Sequence, residues 1–263
     1  MLDVRNVYKT FAPGTVNEKK VLKGLSLHMN PGDFATVIGS NGAGKTTLFN
    51  AIAGTFLTDE GRILIGGEDM TFRPETYRAR VIGRIFQDTM MGTAPNMTIE
   101  QNLAIAYAST KKGLRPAITR ADRAFFRETL ARLNMGLEDR MKTKIGLLSG
   151  GQRQAITLLM AVIVTPDILL LDEHTAALDP LTAEKVLKIT REIVAEKNIT
   201  TLMITHNIAS ALELGNRTLM MDDGQIVLDL SGEERASLSV EGLLQKYRDV
   251  MGKMLDNDRI LLS

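Results

Sequence analysis

"FATVIGSNGAGKTTLFNAIAG" (residues 34–54) decides the fold of this chain. Its first five residues are continuously apolar, as in a strand covered on both faces. Its last ten, "KTTLFNAIAG", read as a helix that stops at Gly54. Between them "GSNGAGKTT" (39–47) fits G-x-x-x-x-G-K-[ST], and the strand–loop–helix setting is the context that confirms the match. The bare pattern arises by chance in roughly one chain per hundred of this length. A glycine-rich turn with a surface lysine is the alternative, and the flanking elements weigh against it. Gly39, Gly42 and Gly44, with Ser40, Asn41, Ala43 and Thr47 between and after them, let backbone N–H groups converge on phosphate oxygens. The helix N-terminus adds about half a positive charge. Lys45 is expected to reach the β- and γ-phosphates and the Thr46 hydroxyl to ligate Mg²⁺.

Working outward, "LDVRNVYKTF" (2–11) and "VLKGLSLHM" (21–29) alternate as strands with one buried face, and "NPGD" (30–33) is turn chemistry. Further strands are expected near 62–65 and 82–86. From 89 to 165 helical patterns dominate. "TIEQNLAIAYA" (98–108) opens with a capping-box spacing, Thr98 to Gln101, and 119–133 repeats it with Thr119 and Asp122. From 167 the alternation of strand and helix resumes: a strand over 167–172, a helix over 181–197, a strand over 200–205 and a helix over 207–214. A hairpin then turns on "DDG" (222–224). The expected fold is a single α/β domain: a core of 1–88 and 166–230 with a parallel sheet and an N-terminal antiparallel β subdomain. A helical subdomain (89–165) is inserted, and a helical extension (231–263) without an assignable motif follows. The basic residues between Lys111 and Lys144 are either a solvated helical face or a contact for a partner or lipid headgroups.

Composition narrows the classes. The chain has 263 residues, 44% of them apolar and 24% charged, enough for a real core. A net charge of +1 gives no global field for nucleic acid or an anionic membrane. Without Cys there is no disulfide framework or zinc–thiolate site, which is compatible with a reducing cytoplasm. "MLDVRNVYKTF" does not read as a signal peptide, and runs such as "ILLL" (168–171) fall far short of the about 20 residues of a membrane helix. Work at a membrane would need another protein to carry the chain there.

Two further stretches carry chemistry. "ILLLDEHT" (168–175) is an apolar strand that ends in two acids, at the sheet edge where open α/β folds bind ligands. Asp172 is expected to hold Mg²⁺ and Glu173 to take a proton from the attacking water, a role worth about 10²–10⁴-fold in rate. Mere solvated capping of the strand is the alternative. "LLSGGQRQA" (147–155) places Ser149 and the N–H groups of Gly150 and Gly151 ahead of a helix starting near Gln152. That is a second helix N-terminus able to hold an anion. The phosphate loop already serves its own nucleotide, so this one is expected to serve ATP bound to another copy, in a head-to-tail homodimer.

With these motifs in order, nearly the whole chain resembles the ATP-binding-cassette (ABC) ATPases. The resemblance implies roles for further residues: Phe11 in "VYKTF" stacks on adenine, and Gln87 in "IFQD" touches Mg²⁺ and the water. His206 in "MITHN" contacts the γ-phosphate. Ser149, Gly150, Gly151, Gln152 and Asp179 in "AALD" act in trans across the dimer. His174 departs from the Pro that many members carry after the catalytic Glu. More narrowly, "GSNGAGKTTLFNAIAGTF", "IFQDTMMGTAPNMTIEQNLA" and "LLLDEHTAALDP" are similar to the ATPases of bacterial tryptophan/tyrosine-type uptake systems. The resemblance implies separate permease subunits, an extracytoplasmic binding protein and a place on the cytoplasmic face of the membrane. "DTMMGTAPNMT" (88–98), with Met90, Met91 and Met97, is the expected docking surface, unless those methionines fill the helical core. An ATPase of an exporter, or a non-transport ABC ATPase, is the alternative function. No residue here identifies the cargo.

Overall fold

The alternation of β1 (Leu2–Phe11) buries Leu2 and Val4 and then skips to Val7, because the backbone turns left-handed at Asn6 (φ 47°) and the register slips there. β1 pairs antiparallel with β2 (Lys19–Met29) on one side and β4 (Glu60–Ile65) on the other, and β5 (Glu68–Asp69) extends the sheet. This computed structural model describes residues 1–88, 90–108 and 118–261. The chain forms two compact units: Met1–Glu75 together with the chain from Leu202 onward, and Thr76–Thr201.

In the first unit, β3 (Phe34–Gly39) has five consecutive buried residues, as its apolar run requires. It lies parallel to β9 (Arg217–Asp222), which pairs antiparallel with β10 (Gln225–Ser231). The sheet is therefore mixed rather than wholly parallel. Asp223 and Gly224, both at positive φ (42° and 79°), make the two-residue turn, and Asp222 belongs to β9 rather than to the turn. Arg217 pins this hairpin: its guanidinium donates twice to Asp229 (2.7 and 2.5 Å) and once to the His28 carbonyl (2.6 Å). α1 (Lys45–Ala53) ends where Gly54 turns left-handed. α7 (Ile208–Glu213), α8 (Gly232–Ala236) and α9 (Val240–Leu261) complete the unit. Arg235 of α8 donates to the carbonyls of Ala211, Leu212 and Leu214 (3.0, 2.9 and 2.6 Å), satisfying acceptors that the end of α7 leaves unpaired.

In the second unit, β6 (Ile82–Ile85) and β7 (Ile168–Asp172) run parallel, and β7 is buried along its whole length. β8 (Thr200–Ile204) crosses the division, residues 200–201 in this unit and 202–204 in the other. The helices are α2 (Glu75–Arg78), whose first residue lies in the other unit, α3 (Ile99–Tyr107), α4 (Arg120–Ala131), α5 (Gly150–Val162) and α6 (Pro180–Lys197). Both expected capping boxes form, Thr98 with Gln101 and Thr119 with Asp122. The basic face is solvated and ion-paired: Arg127 meets Asp139 and Arg132 meets Glu196. Arg123 and Lys142 converge on buried Glu100. Burial alone would raise the Glu100 pKa, but these two donors bring it below the usual range. Lys111, Lys112 and Arg115 lie outside the described residues. Among the described residues no helix is long and apolar enough to cross a membrane.

Asn102 of α3, 1% exposed, organises the loop ahead of its own helix. Its Oδ1 accepts from Ala94 N (2.7 Å), and its Nδ2 donates to Ala94 O (3.1 Å) and Thr98 O (3.0 Å). Asn102→Ala orphans buried groups that each cost about 1–3 kcal/mol. It is expected to destabilise the fold by about 3 kcal/mol in urea unfolding.

Candidate functional site

The loop between β3 and α1 is built for close backbone approach. A Cβ at Gly39 would overlap the Met221 carbonyl of β9, so only glycine lets β3 run this near its neighbour before turning. Gly42, at φ 89°, faces open space, and an L side chain there would both strain the backbone and fill the hollow of the loop. Lys45, 6% exposed, is held by its own loop: Nζ donates to the carbonyls of Gly39 (2.8 Å) and Ser40 (2.9 Å). Gly44 caps α1 without a side-chain hydrogen bond, leaving first-turn N–H groups directed out of the helix. Thr46 and Thr47 stand in that first turn. A convergent set of donors around an open hollow fits a polyphosphate. The Ser40 hydroxyl donates to Asp222 Oδ1 (3.2 Å), a partner that the sequence did not mark.

The same unit holds Phe11 and His206. Phe11, 39% exposed, ends β1 and meets Phe56 edge-on (5.3 Å, 84°), with Lys9 Nζ 5.6 Å from its ring centroid. One ring is available for stacking, and Phe56 steadies it. Thr205 N donates to Val37 O of β3 (3.2 Å), so exposed His206 leaves the sheet beside the strand that feeds the loop.

Gln87, residues 149–152, Asp172, Glu173 and Asp179 belong to the second unit. Asp172 ends β7 and is buried, whereas Glu173 is half-exposed with a left-handed backbone (φ 46°) that breaks the strand. Gln87 Nε2 donates to Glu173 Oε2 at 3.4 Å, so the structure brings this pair together. Among the described residues no group of three or more His, Cys, Asp or Glu forms a metal cage. A single buried carboxylate such as Asp172 is nevertheless the donor that Mg²⁺ takes alongside phosphate oxygens.

The helix of "LSGGQ" starts at Gly150, not near Gln152, with Ser149 as its N-cap. Ser149 Oγ accepts from Gln152 N (3.3 Å) and Gln152 Oε1 accepts from Ser149 N (3.4 Å), a capping box the sequence reading missed despite its S-x-x-Q spacing. That arrangement leaves the N–H groups of Gly150 and Gly151 as the first-turn donors. The glycines are also required by packing: a Cβ at Gly151 would overlap the Thr182 methyl of α6, and one at Gly150 would lie 3.2 Å from Leu178. Asp179 caps α6, accepting from Thr182 N (3.1 Å); hydrogen bonds from Thr182 hold its carboxyl below the usual range. Met90 and Met91 are exposed and Met97 half-buried, so the first two do not fill a core; Thr89 lies outside the described residues.

His174 is 3% exposed, and burial pushes its pKa down to about 4. Thr190 spends its one proton on Val186 O (2.8 Å), so its oxygen accepts from the His174 Nε2–H at 3.4 Å. The unfolded chain takes up this proton near pH 6.5 and the folded chain only near 4, so stability is full above 6.5 and falls as pH drops through that window. By pH 5 this amounts to about 2 kcal/mol. Unfolding curves of His174→Leu are expected to lose that much less than wild type between pH 7 and 5.

Comparison with known proteins follows the same lines. The family model described as ABC transporter matches residues 22–176. The tyrosine transport ATP-binding protein of Clostridioides difficile (strain R20291) is 39% identical over 252 residues, covering 94% of this chain and 98% of that protein. The xylose/arabinose import ATP-binding protein of Sulfolobus acidocaldarius is 34% identical, covering 89% of each. Among solved structures, a dimeric post-hydrolysis state of the ATP-binding cassette MJ0796 bound to ADP and Pi superposes with a TM-score of 0.76 at 27% identity, over 88% of this chain and 98% of that one. With its phosphate loop, its buried strand ending in two acids and its "LSGGQ" helix, the chain belongs to the ABC transporter family, as an ATP-hydrolysing cassette.

Proposed function

We propose that this ATPase works as a homodimer beneath separate permease subunits on the cytoplasmic face of the membrane, and that the cargo is an aromatic amino acid taken up with an extracytoplasmic binding protein. The loop over 39–47, with its left-handed glycines and a lysine ringed by carbonyls, carries the nucleotide part of the reading. Similarity over 94% of the chain to a tyrosine transport protein supports the cargo class, and the dimeric state of the similar cassette supports the assembly.

In this reading Phe11 stacks on adenine, the backbone over 39–47 and Lys45 hold the phosphates, and His206 contacts the γ-phosphate. Thr46, Asp172 and Gln87 would hold Mg²⁺, which neutralises phosphate charge. Glu173 takes the proton of the attacking water, and Gln87 keeps its carboxylate turned toward that task. Ser149, Gly150, Gly151, Gln152 and Asp179 act on the nucleotide of the opposite copy. Residues 89–165 form the subdomain that carries "LSGGQ". Exposed Met90 and Met91 supply adaptable contact to the permease. Energy enters because ATP binds the closed dimer more tightly than the open one.

Glu173→Gln keeps the shape but removes the base, so ATP binding should persist in a trapped dimer while turnover falls at least about 100-fold. Rapid hydrolysis by that variant would disprove the assignment. Co-purified with its permease and reconstituted in vesicles, the wild-type complex should hydrolyse ATP faster when tyrosine or tryptophan and the binding protein are supplied. Stimulation by sugars or thiamine instead would overturn the cargo class.

A further inference from the structure

The C-terminal extension carries no motif, yet it reaches the supports of the phosphate loop within the first unit. Leu243 of α9 is fully buried in a cluster with Ile38, Ala211, Met220 and Leu230. Ile38 is the last residue before Gly39. Tyr247, one turn further along α9, packs on the same cluster, and its hydroxyl donates to Asp222 Oδ1 (3.3 Å). Burial raises the Tyr247 pKa, with Asp222 adding to it, so the hydroxyl keeps its proton and remains a donor. The same Asp222 oxygen accepts from Ser40 Oγ (3.2 Å). The Ser40 carbonyl, in turn, holds Lys45 Nζ (2.9 Å). Two hydroxyls from distant parts of the chain thus share one carboxylate oxygen, and one of them belongs to the residue that holds the phosphate-binding lysine. Arg235 of α8 acts in parallel by tying down the end of α7, the helix that begins two residues after His206.

We propose that α9 sets the nucleotide affinity of the phosphate loop: Tyr247 fixes Asp222, Asp222 fixes Ser40, and Ser40 fixes the carbonyl against which Lys45 is held. Tyr247 and Asp222 are positioning residues and touch no reacting atom. The inference rests on the reading of 39–47 as the ATP site. Tyr247→Phe deletes one oxygen and keeps the ring in its cluster, so it separates the hydrogen bond from the packing.

The experiment titrates the full-length protein with a fluorescent ATP analogue and with competing ATP. The proteins compared are wild type, Tyr247→Phe, Ser40→Ala and the double variant, with Lys45→Ala as control and thermal unfolding run on each. Loss of one hydrogen bond in the chain of contacts should weaken ATP binding about three- to tenfold in Tyr247→Phe. Ser40→Ala should weaken it similarly, and the double variant no more than Ser40→Ala alone. In steady state Tyr247→Phe should raise the KM for ATP while kcat holds. Wild-type affinity in Tyr247→Phe, or losses that simply add in the double variant, would overturn the inference. Should Lys45→Ala also bind ATP like wild type, the reading of the loop itself has failed. If Tyr247→Phe proves unfolded, Ser40→Ala at wild-type affinity still overturns the inference from the other end.

Discussion

The contact between Gly39 and the Met221 carbonyl is the constraint on which the nucleotide loop depends. A strand buried on both faces has no slack, so a chain that must leave it sharply needs a residue with no side chain at the point of departure. Everything downstream is placed by that turn. The open hollow at Gly42, the uncapped first turn at Gly44 and the lysine folded back on the carbonyls of 39 and 40 follow from it. A side chain at Gly39 would have to push β3 off β9, and the donors proposed to meet a phosphate would no longer share a focus.

"LSGGQ" solves a different problem with the same residue. Its glycines permit α5 to lie against Thr182 of α6 and against Leu178 just ahead of that helix, so their absence of side chains is explained by packing before any ligand is considered. The Ser149–Gln152 capping box fixes where the helix starts and which N–H groups face outward. Structural and functional demands on this peptide therefore coincide. A substitution there would disturb helix packing together with the anion binding proposed for it, which makes loss of activity alone a poor guide to mechanism at these positions.

Much of the fold was legible because its elements are long and periodic. The longer strands of the first unit, the helix after the phosphate loop and both capping boxes over 98–122 follow from apolar pattern, glycine and S/T-x-x-acid or amide spacing. β5 and α2, at two and four residues, are too short to show a period. The start of α5 was misjudged because two glycines read as loop, although Gly is tolerated in a first turn that a cap and a packed face hold in place. Asn6 hides its bulge, since a left-handed residue in mid-strand is a property of the pairing rather than of local pattern. The candidate site divides in the same way. Lys45, Asp172 and Glu173 are marked by motif, whereas Phe56, Asp222 and Tyr247 acquire meaning only from partners far along the chain. His174 was visible as a departure, but its burial against Thr190 was not.

Glu173 sits in a region of backbone space that costs a side-chain-bearing residue about 1–2 kcal/mol and costs glycine nothing. The acid is thus retained against the local preference of the chain, held in place by what surrounds it. Evolution toward heat resistance in the laboratory, if unscreened for turnover, would find relief at this position and discard the proposed proton acceptor in doing so. The most thermally robust descendants of this protein would include some that no longer power anything.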